Sequence, residues 1–406
     1  MVRGFSYPVE KTFGPRPENG VQKVLGRAGV FDKIACRPER GSFMSGVTFR
    51  RYVMPGLVFQ GVLIGGGYGT GREIVEYFMR FGPLGGLIGM FAVTLPVWAI
   101  ILAVTFEFAR AFETYDYRSL LVNLLGRFWL SFELFYVTLM VVVLAVVGSA
   151  AGVLLRDFFG VPYLVGVVTM LGAVGFLTFK GSGLIEKSFS VWSILIYAVY
   201  LSFLVVSIVR FGDDISANLG TGEALPGWAL GSFKYGLYNM CVVPAILFCV
   251  RHIETRRQAI SAGLIAAVIG ILPAFFFYIA ILGQYPDVVM QEIPAVHVLE
   301  QAQVPALLVV FVIMLFGTLI QTGTGFIHGV NERIQRTLAA RGKEFPDWQR
   351  PVIAIALLVL SLGLAKFGII ALVARGYGLM SWGIFVIYFV PLVTVGLYKI
   401  IRQNYG

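Results

Sequence analysis

Ten apolar stretches follow one another along the chain, at about residues 52–81, 84–109, 128–155, 162–179, 188–209, 229–250, 259–283, 305–330, 351–370 and 377–398. A hydrocarbon core about 30 Å thick takes roughly 20 apolar residues per helix. Inside it every backbone N–H and C=O must be satisfied by the protein, so only helices and closed barrels cross. Stretches of this length predict helices, and the chain reads as an all-α polytopic membrane protein with about ten transmembrane helices. Composition agrees: 58% of the 406 residues are hydrophobic, 13% are charged and the mean hydropathy is +0.82, values foreign to soluble domains. The first fifty residues are polar and basic and lack the short apolar core of a cleavable signal, so the first stretch is expected to stay as a span. Cys36, Cys241 and Cys249 make no disulfide framework, and packing is the simplest role for each.

Positive residues in short loops stay on the cytoplasmic side. With the N-terminus inside, most of the 32 Lys and Arg fall inside, and the opposite side receives only Arg80, Arg156, Arg210 and Arg375. Both termini are therefore expected in the cytoplasm, of a bacterial-type cytoplasmic membrane. The expected parts are a basic N-terminal segment (1–51), a five-helix repeat (52–210), an external loop (211–228), a second five-helix repeat (229–398) and a cytoplasmic tail (399–406). The net charge of +10 follows from this asymmetry and from anionic lipid, and calls for no nucleic-acid partner. Two segments outside the spans are candidates for helices: 19–35 as an interfacial helix or a loose tail, and 285–303 as a lid or an ordinary loop helix.

The first span contains Gly65-Gly66-Gly67-Tyr68-Gly69-Thr70-Gly71-Arg72-Glu73. Unwound backbone at membrane depth survives only where protein buries it or where it lines a polar cavity, so this glycine run marks a binding site. The halves of the chain run in opposite directions, and the sixth span carries a matching interruption in Gly236, Asn239 and Pro244. Proline removes a helix hydrogen bond and clashes with the preceding turn. Corresponding interruptions in two inverted halves point to a transporter site at the midplane. The plainer explanation is close helix packing, since Gly61, Gly65 and Gly69 recur at four-residue intervals. The phosphate-cradling pattern Gly-x-Gly-x-x-Gly does not fit.

Ionisable residues at membrane depth are costly and mark function by default. Glu73 follows the break directly, where it could take up a proton, bind a cation or meet a substrate amine. Arg72 could neutralise Glu76, four residues on, or hold a substrate carboxylate. Tyr68, Tyr238 and Asn239 would shape the pocket, with Gly65, Gly66, Gly67, Gly69, Thr70 and Gly71 supplying backbone. Lys234 and Lys366 are near enough to a membrane face to snorkel. Glu107 and Glu133 belong to cytoplasmic ends, and His328 reads as a packing histidine. Three histidines without ligand spacing support no metal centre.

Residues 65–78, Gly-Gly-Gly-Tyr-Gly-Thr-Gly-Arg-Glu-Ile-Val-Glu-Tyr-Phe, resemble the first-span signature of the YkvI-type membrane proteins, placed among the amino-acid permeases of the amino acid-polyamine-organocation superfamily. The resemblance implies the five-plus-five inverted repeat often called the LeuT fold. In sodium-coupled members of that fold, hydroxyls of the eighth span and carbonyls of the first hold sodium. By that likeness Thr318 and Thr322, with carbonyls near Ile64 and Gly67, form a Na+ site here, unless the threonines merely bond their own backbone. Proton-coupled members carry a lysine where Ser193, beside Trp192, stands in this chain. That departure leaves sodium, or a proton on Glu73, as the coupling ion.

The expected function is secondary active transport of a small polar solute, most plausibly an amino acid or related zwitterion, with Na+ or H+ coupling and no cofactor. An uncoupled channel or facilitator, and a non-transporting sensor of the same fold, are the alternatives. No nucleophile and base stand at convincing spacing for an enzyme. The expected partners are the solute or ion and the lipid bilayer, and the sequence does not reveal an oligomeric state.

Overall fold

A computed structural model describes residues 46–405 apart from 181, 340–345 and 347. The candidate helix at 19–35 and Cys36 lie outside the described residues. From Arg50 onward the chain forms one unit. Its main helices are α1 (Met54–Leu63), α2 (Arg72–Tyr77), α3 (Pro83–Ala111), α4 (Trp129–Phe159), α5 (Tyr163–Lys180) and α6 (Ser182–Gly220). They continue as α7 (Trp228–Tyr238), α8 (Arg256–Leu282), α9 (Pro294–Gln301), α10 (Pro305–Ala339), α11 (Gln349–Ala365) and α12 (Gly368–Gln403). Among the described residues, six helices are long and apolar enough to cross a membrane, lying in α3, α4, α6, α8, α10 and α12. Helices α5 and α11 carry shorter apolar stretches. The class is all-α and membrane-embedded, as expected.

Local chemistry sets the ends of these helices. Gly82, at φ +85°, turns the chain and Pro83 opens α3 with its φ already helical. Thr255 and Gln258 cap α8 reciprocally, and Gly160 closes α4 in the left-handed region. In the interior, Gly263 of α8 lies against the Ala103 backbone of α3, nearer than any β-carbon permits. Small residues let membrane helices approach in this way. Beside this contact Trp98 donates to the carbonyl of Gly236 at 2.9 Å and meets Phe59 edge to face at 5.3 Å. Helices α3 and α8 thereby brace both interrupted segments, α1 and α7.

The polar contacts gather at two ends. At the Ala111 end of α3, Arg110 chelates Glu107 with two bonds of 2.8 Å, Arg51 pairs with Glu254, and Gln403 donates to the Ala111 carbonyl at 2.9 Å. At the Pro83 end, the Glu223 carbonyl accepts from Leu84 and Gly85 at 2.9 and 3.1 Å. There too Tyr285 donates to the Glu223 carboxylate at 2.6 Å and Arg156 pairs with Glu292 at 2.7 Å. Glu107, expected near the cytoplasmic face, thus keeps a partner in its own turn.

Three boundaries differ from the sequence reading. Helix α6 runs to Gly220, through a kink at Phe211, so half of the expected external loop is helix. The turn before the last span falls at Lys366 and Phe367, followed by Gly368 at φ +77°. Arg375 therefore sits inside α12, in a π-helical turn at Leu372–Tyr377, and not in an external loop. The sixth span is not unwound at its middle: α7 passes at Asn239 into a 12-residue 3-10 segment, Asn239–Val250, that contains Pro244. Runs of 3-10 helix longer than a few residues are uncommon and mark strain or hinges. Proline, with no N–H to give, weakens the α pattern there.

Candidate functional site

The break in the first span occupies residues 64–71. Ile64 leaves the helix at ψ +81°, Gly65 is extended, and a short turn at Gly66–Gly69 leads to Gly71 at φ +81°. Only glycine takes that last conformation at no steric cost. Thr70 holds the turn shut: its hydroxyl donates to the Gly67 carbonyl at 2.7 Å and accepts from the Arg72 N–H at 3.1 Å. Gly69 serves close approach, lying under the Tyr200 hydroxyl and Leu315, while Gly65 faces the methyl and hydroxyl of Thr322 at ordinary contact distance. Gly61, by contrast, has open space on its side-chain face. The four-residue glycine spacing is therefore needed for packing at one of its three positions, Gly69, inside an element that is also broken.

Glu73 is 5% exposed and begins the helix beyond the break. Its carboxylate folds back over Gly67, where a β-carbon would otherwise stand, and accepts a hydrogen bond from the Tyr238 hydroxyl. The two interrupted helices, far apart in sequence, thus meet side chain to side chain. The Tyr377 hydroxyl lies over the same glycine, 3.3 Å from where its β-carbon would be. Tyr377 stacks on Tyr238 with centroids 4.9 Å apart, and Tyr77 and Tyr235 each lie 5.6 Å from Tyr238. Glu73 in this way lies beside a cluster of four tyrosine rings, Tyr77, Tyr235, Tyr238 and Tyr377.

Arg72 takes a different course. It is 2% exposed, pairs with Glu76 at 2.8 Å, and donates to the carbonyls of Val289 and Gln291 at 2.8 and 3.0 Å. Arg80 closes on the other oxygen of Glu76. The Thr70 carbonyl accepts from the Ala295 N–H of α9 at 3.2 Å. The 285–303 segment thus lies across the break and is tied to it from both sides. Arg72 is engaged in the internal ion pair that its spacing from Glu76 allowed.

The other predicted residues divide. Asn239 is buried and donates its amide to the Tyr235 carbonyl one turn back, at 3.0 Å. Tyr68 is buried with its ring edge-on to Phe277, and its hydroxyl has no hydrogen-bond partner; the Tyr200 hydroxyl is in the same position. Thr322 lies beside Gly65, its methyl and hydroxyl each 3.6 Å from where a β-carbon there would be. Thr318 donates to its own helix at Met314, at 2.8 Å, and accepts from the Trp192 indole at 3.2 Å. Sequence reasoning missed Tyr77, Tyr200, Tyr235 and Tyr377. The spacing of Tyr77, four residues after Glu73 on one helix face, was the available signal.

No protein-family model matches the chain. It is similar to the uncharacterized membrane protein YkvI of Bacillus subtilis (strain 168), with 24% identity over 299 residues, covering 70% of this chain and 82% of that protein. Among solved structures it is similar to MhsT in complex with L-phenylalanine, at TM-score 0.56 and 13% identity, covering 90% of this chain and 99% of that one. A Na+-coupled sialic acid symporter in a substrate-bound outward-open state aligns at TM-score 0.48 and 12% identity, over 86% of each chain. The likeness to MhsT spans nearly the whole of both chains and shows a shared fold.

Proposed function

We propose that the chain is a secondary active transporter for a small polar solute that carries a protonated amine, an amino acid or related zwitterion, bound between the break at 64–71 and the end of α7. The observation that carries this reading is Glu73: a buried carboxylate, set just past a break, whose one hydrogen bond reaches the other interrupted helix. Buried charge is tolerated when it is paired, so this carboxylate is a receptor for a proton or for the substrate's ammonium. The unpartnered hydroxyls of Tyr68 and Tyr200 offer donors for a second polar group. The fold shared with MhsT, whose structure holds L-phenylalanine, supports the amino-acid class.

For coupling, a proton on Glu73 is favoured over sodium at Thr318 and Thr322. The Thr318 hydroxyl gives its proton to its own helix and accepts from the Trp192 indole, so one lone pair is left to offer a cation. An open channel fits less well, because the 285–303 segment closes over the break. The test is gradient-driven uptake in proteoliposomes. Glu73→Gln is expected to abolish coupled uptake while the purified variant keeps the wild-type elution profile and ligand-free Tm. Undiminished uptake by that variant overturns the role given to Glu73.

A further inference from the structure

We propose that the Ala111 end of α3 adjoins a seat for an anionic phospholipid, whose phosphate lies against Arg118 and Arg127 and whose acyl chains run along the start of α4. The seat lies apart from the break and does not depend on which solute the chain moves. It is built on a short helix, Tyr117–Leu125, that is capped by Asp116 and buries Leu120, Leu121 and Leu124. Gly126, at φ +57°, ends that helix, and a single 3-10 turn at Gly126–Phe128 leads straight into α4 at Trp129. The turn brings together two cations that the sequence separates. Arg118 lies over the Trp129 ring at 5.2 Å, and Arg127 over the ring of the adjoining residue, Phe128, at 5.0 Å.

Charge carries the choice of partner. Neither guanidinium enters an ion pair among the described residues, whereas Arg110, close by in sequence, is spent on Glu107. A guanidinium stacked on a ring keeps its in-plane N–H fork, which matches two phosphate oxygens. Lys399 reaches the same short helix, where it donates to the Asn123 carbonyl. The nearby acids leave the two cations unanswered. Asp116 is turned to the N–H and hydroxyl of Ser119, at 2.9 and 2.6 Å, and Glu113 is exposed. Alongside the cations the surface becomes apolar: Phe128, Leu130 and Leu134 are 63, 60 and 72% exposed, the two leucines one turn apart on α4. This helix is long and apolar enough to cross a membrane, and aromatic side chains at the end of a span sit at headgroup level. A free phosphate would use the guanidiniums alone. A phospholipid uses both the cations and the apolar strip, and that favours the lipid.

The test is thermal stability of the purified full chain in neutral detergent, titrated with dioleoylphosphatidylglycerol, with dioleoylphosphatidylcholine, which has the same acyl chains, or with inorganic phosphate. Phosphatidylglycerol is expected to raise Tm by about 3 °C or more beyond phosphatidylcholine, as a ligand of the folded form does by mass action. Joint Arg118→Gln and Arg127→Gln substitution is expected to remove most of that difference. Joint Arg118→Lys and Arg127→Lys substitution keeps the charges without the forks and is expected to retain part of it. Arg256→Gln with Arg257→Gln takes equal charge from another exposed surface and is expected to retain all of it. Equal shifts by the two lipids, a shift that survives the glutamine pair at 118 and 127, or an equal loss in the 256 and 257 variant overturns the proposal. A shift reproduced by inorganic phosphate assigns the guanidiniums to a free anion and overturns the lipid seat. If the glutamine pair does not purify folded, the lysine pair and the lipid retained by the unmodified chain decide. Phosphatidylglycerol no richer on the purified chain than in the membrane it came from, with a full shift in the lysine pair, overturns the proposal.

Discussion

Gly67 shows how one missing methyl group shapes the site. The Glu73 carboxylate occupies the space a β-carbon would take, and the Tyr377 hydroxyl presses on the same point. Gly67→Ala is therefore expected to push the carboxylate off the break and to weaken ligand binding at least tenfold, with a smaller loss of Tm. Thermal shift with and without ligand separates the two effects. Unchanged affinity would mean that Glu73 does not need its present position. Gly71 has a different constraint: its φ of +81° disfavours any side chain, and a β-carbon would also run into Phe277. Gly71→Ala is expected to cost about 1–2 kcal/mol from the left-handed backbone alone, and to show chiefly as a lowered Tm. Much at this scale was legible beforehand, because glycine density and a following acid announce a break and a charge at membrane depth. The partner of the acid was not. Tyr238 reaches Glu73, and Tyr377 stacks on Tyr238, only through the packing of α7 and α12, which no local pattern encodes.

Helix α2, six residues long, is tied to the rest of the molecule at its first residue, Arg72. One guanidinium joins Glu76 to two carbonyls of the 285–303 segment, and the Thr70 carbonyl adds a tie to α9. Removing one member of a buried ion pair strands the other and typically costs about 3–5 kcal/mol. Arg72→Ala is expected to lower Tm strongly and to expose the loop. Arg72→Lys keeps the charge without the forked donors that serve three acceptors, and is expected to restore only part of the Tm. Faster reaction of a cysteine placed at Gln291 with a soluble maleimide, in both variants, would confirm loosening of the loop. An unchanged rate would show that the loop is held elsewhere, for example by the Arg156–Glu292 pair. The Arg72–Glu76 pairing could be read from four-residue spacing, whereas its carbonyl partners lie more than two hundred residues away. The sixth span illustrates a subtler limit. Gly236, Asn239 and Pro244 signal an interruption, but the backbone answers with a tightened helix over Asn239–Val250. Proline and glycine say where the α pattern fails and leave open what replaces it.

At the scale of the whole molecule, two sets of polar ties lie at opposite ends of α3. Arg110, Glu254, Lys399 and Gln403 are joined through contacts at the Ala111 end. Phe81, Glu223, Leu225 and Tyr285 are joined at the Pro83 end. The first set falls in segments rich in Lys and Arg, and the second in segments poor in them. By the charge rule we propose that the Ala111 end faces the cytoplasm and the Pro83 end, with the 285–303 segment, the outside. This assignment is open to a direct test in intact cells with a membrane-impermeant maleimide. Cys241 and Cys249 are buried, so substituting Cys36→Ser removes the remaining cysteine. In that background Met290→Cys, at a position 81% exposed, is expected to react from outside without permeabilisation. Tyr398→Cys, at a position 62% exposed in α12 near the other end, is expected to react only after the membrane is opened. The reverse pattern would invert the protein in the bilayer. The break would then be closed toward the cytoplasm by the 285–303 segment, and substrate entry would have to be assigned to the opposite face.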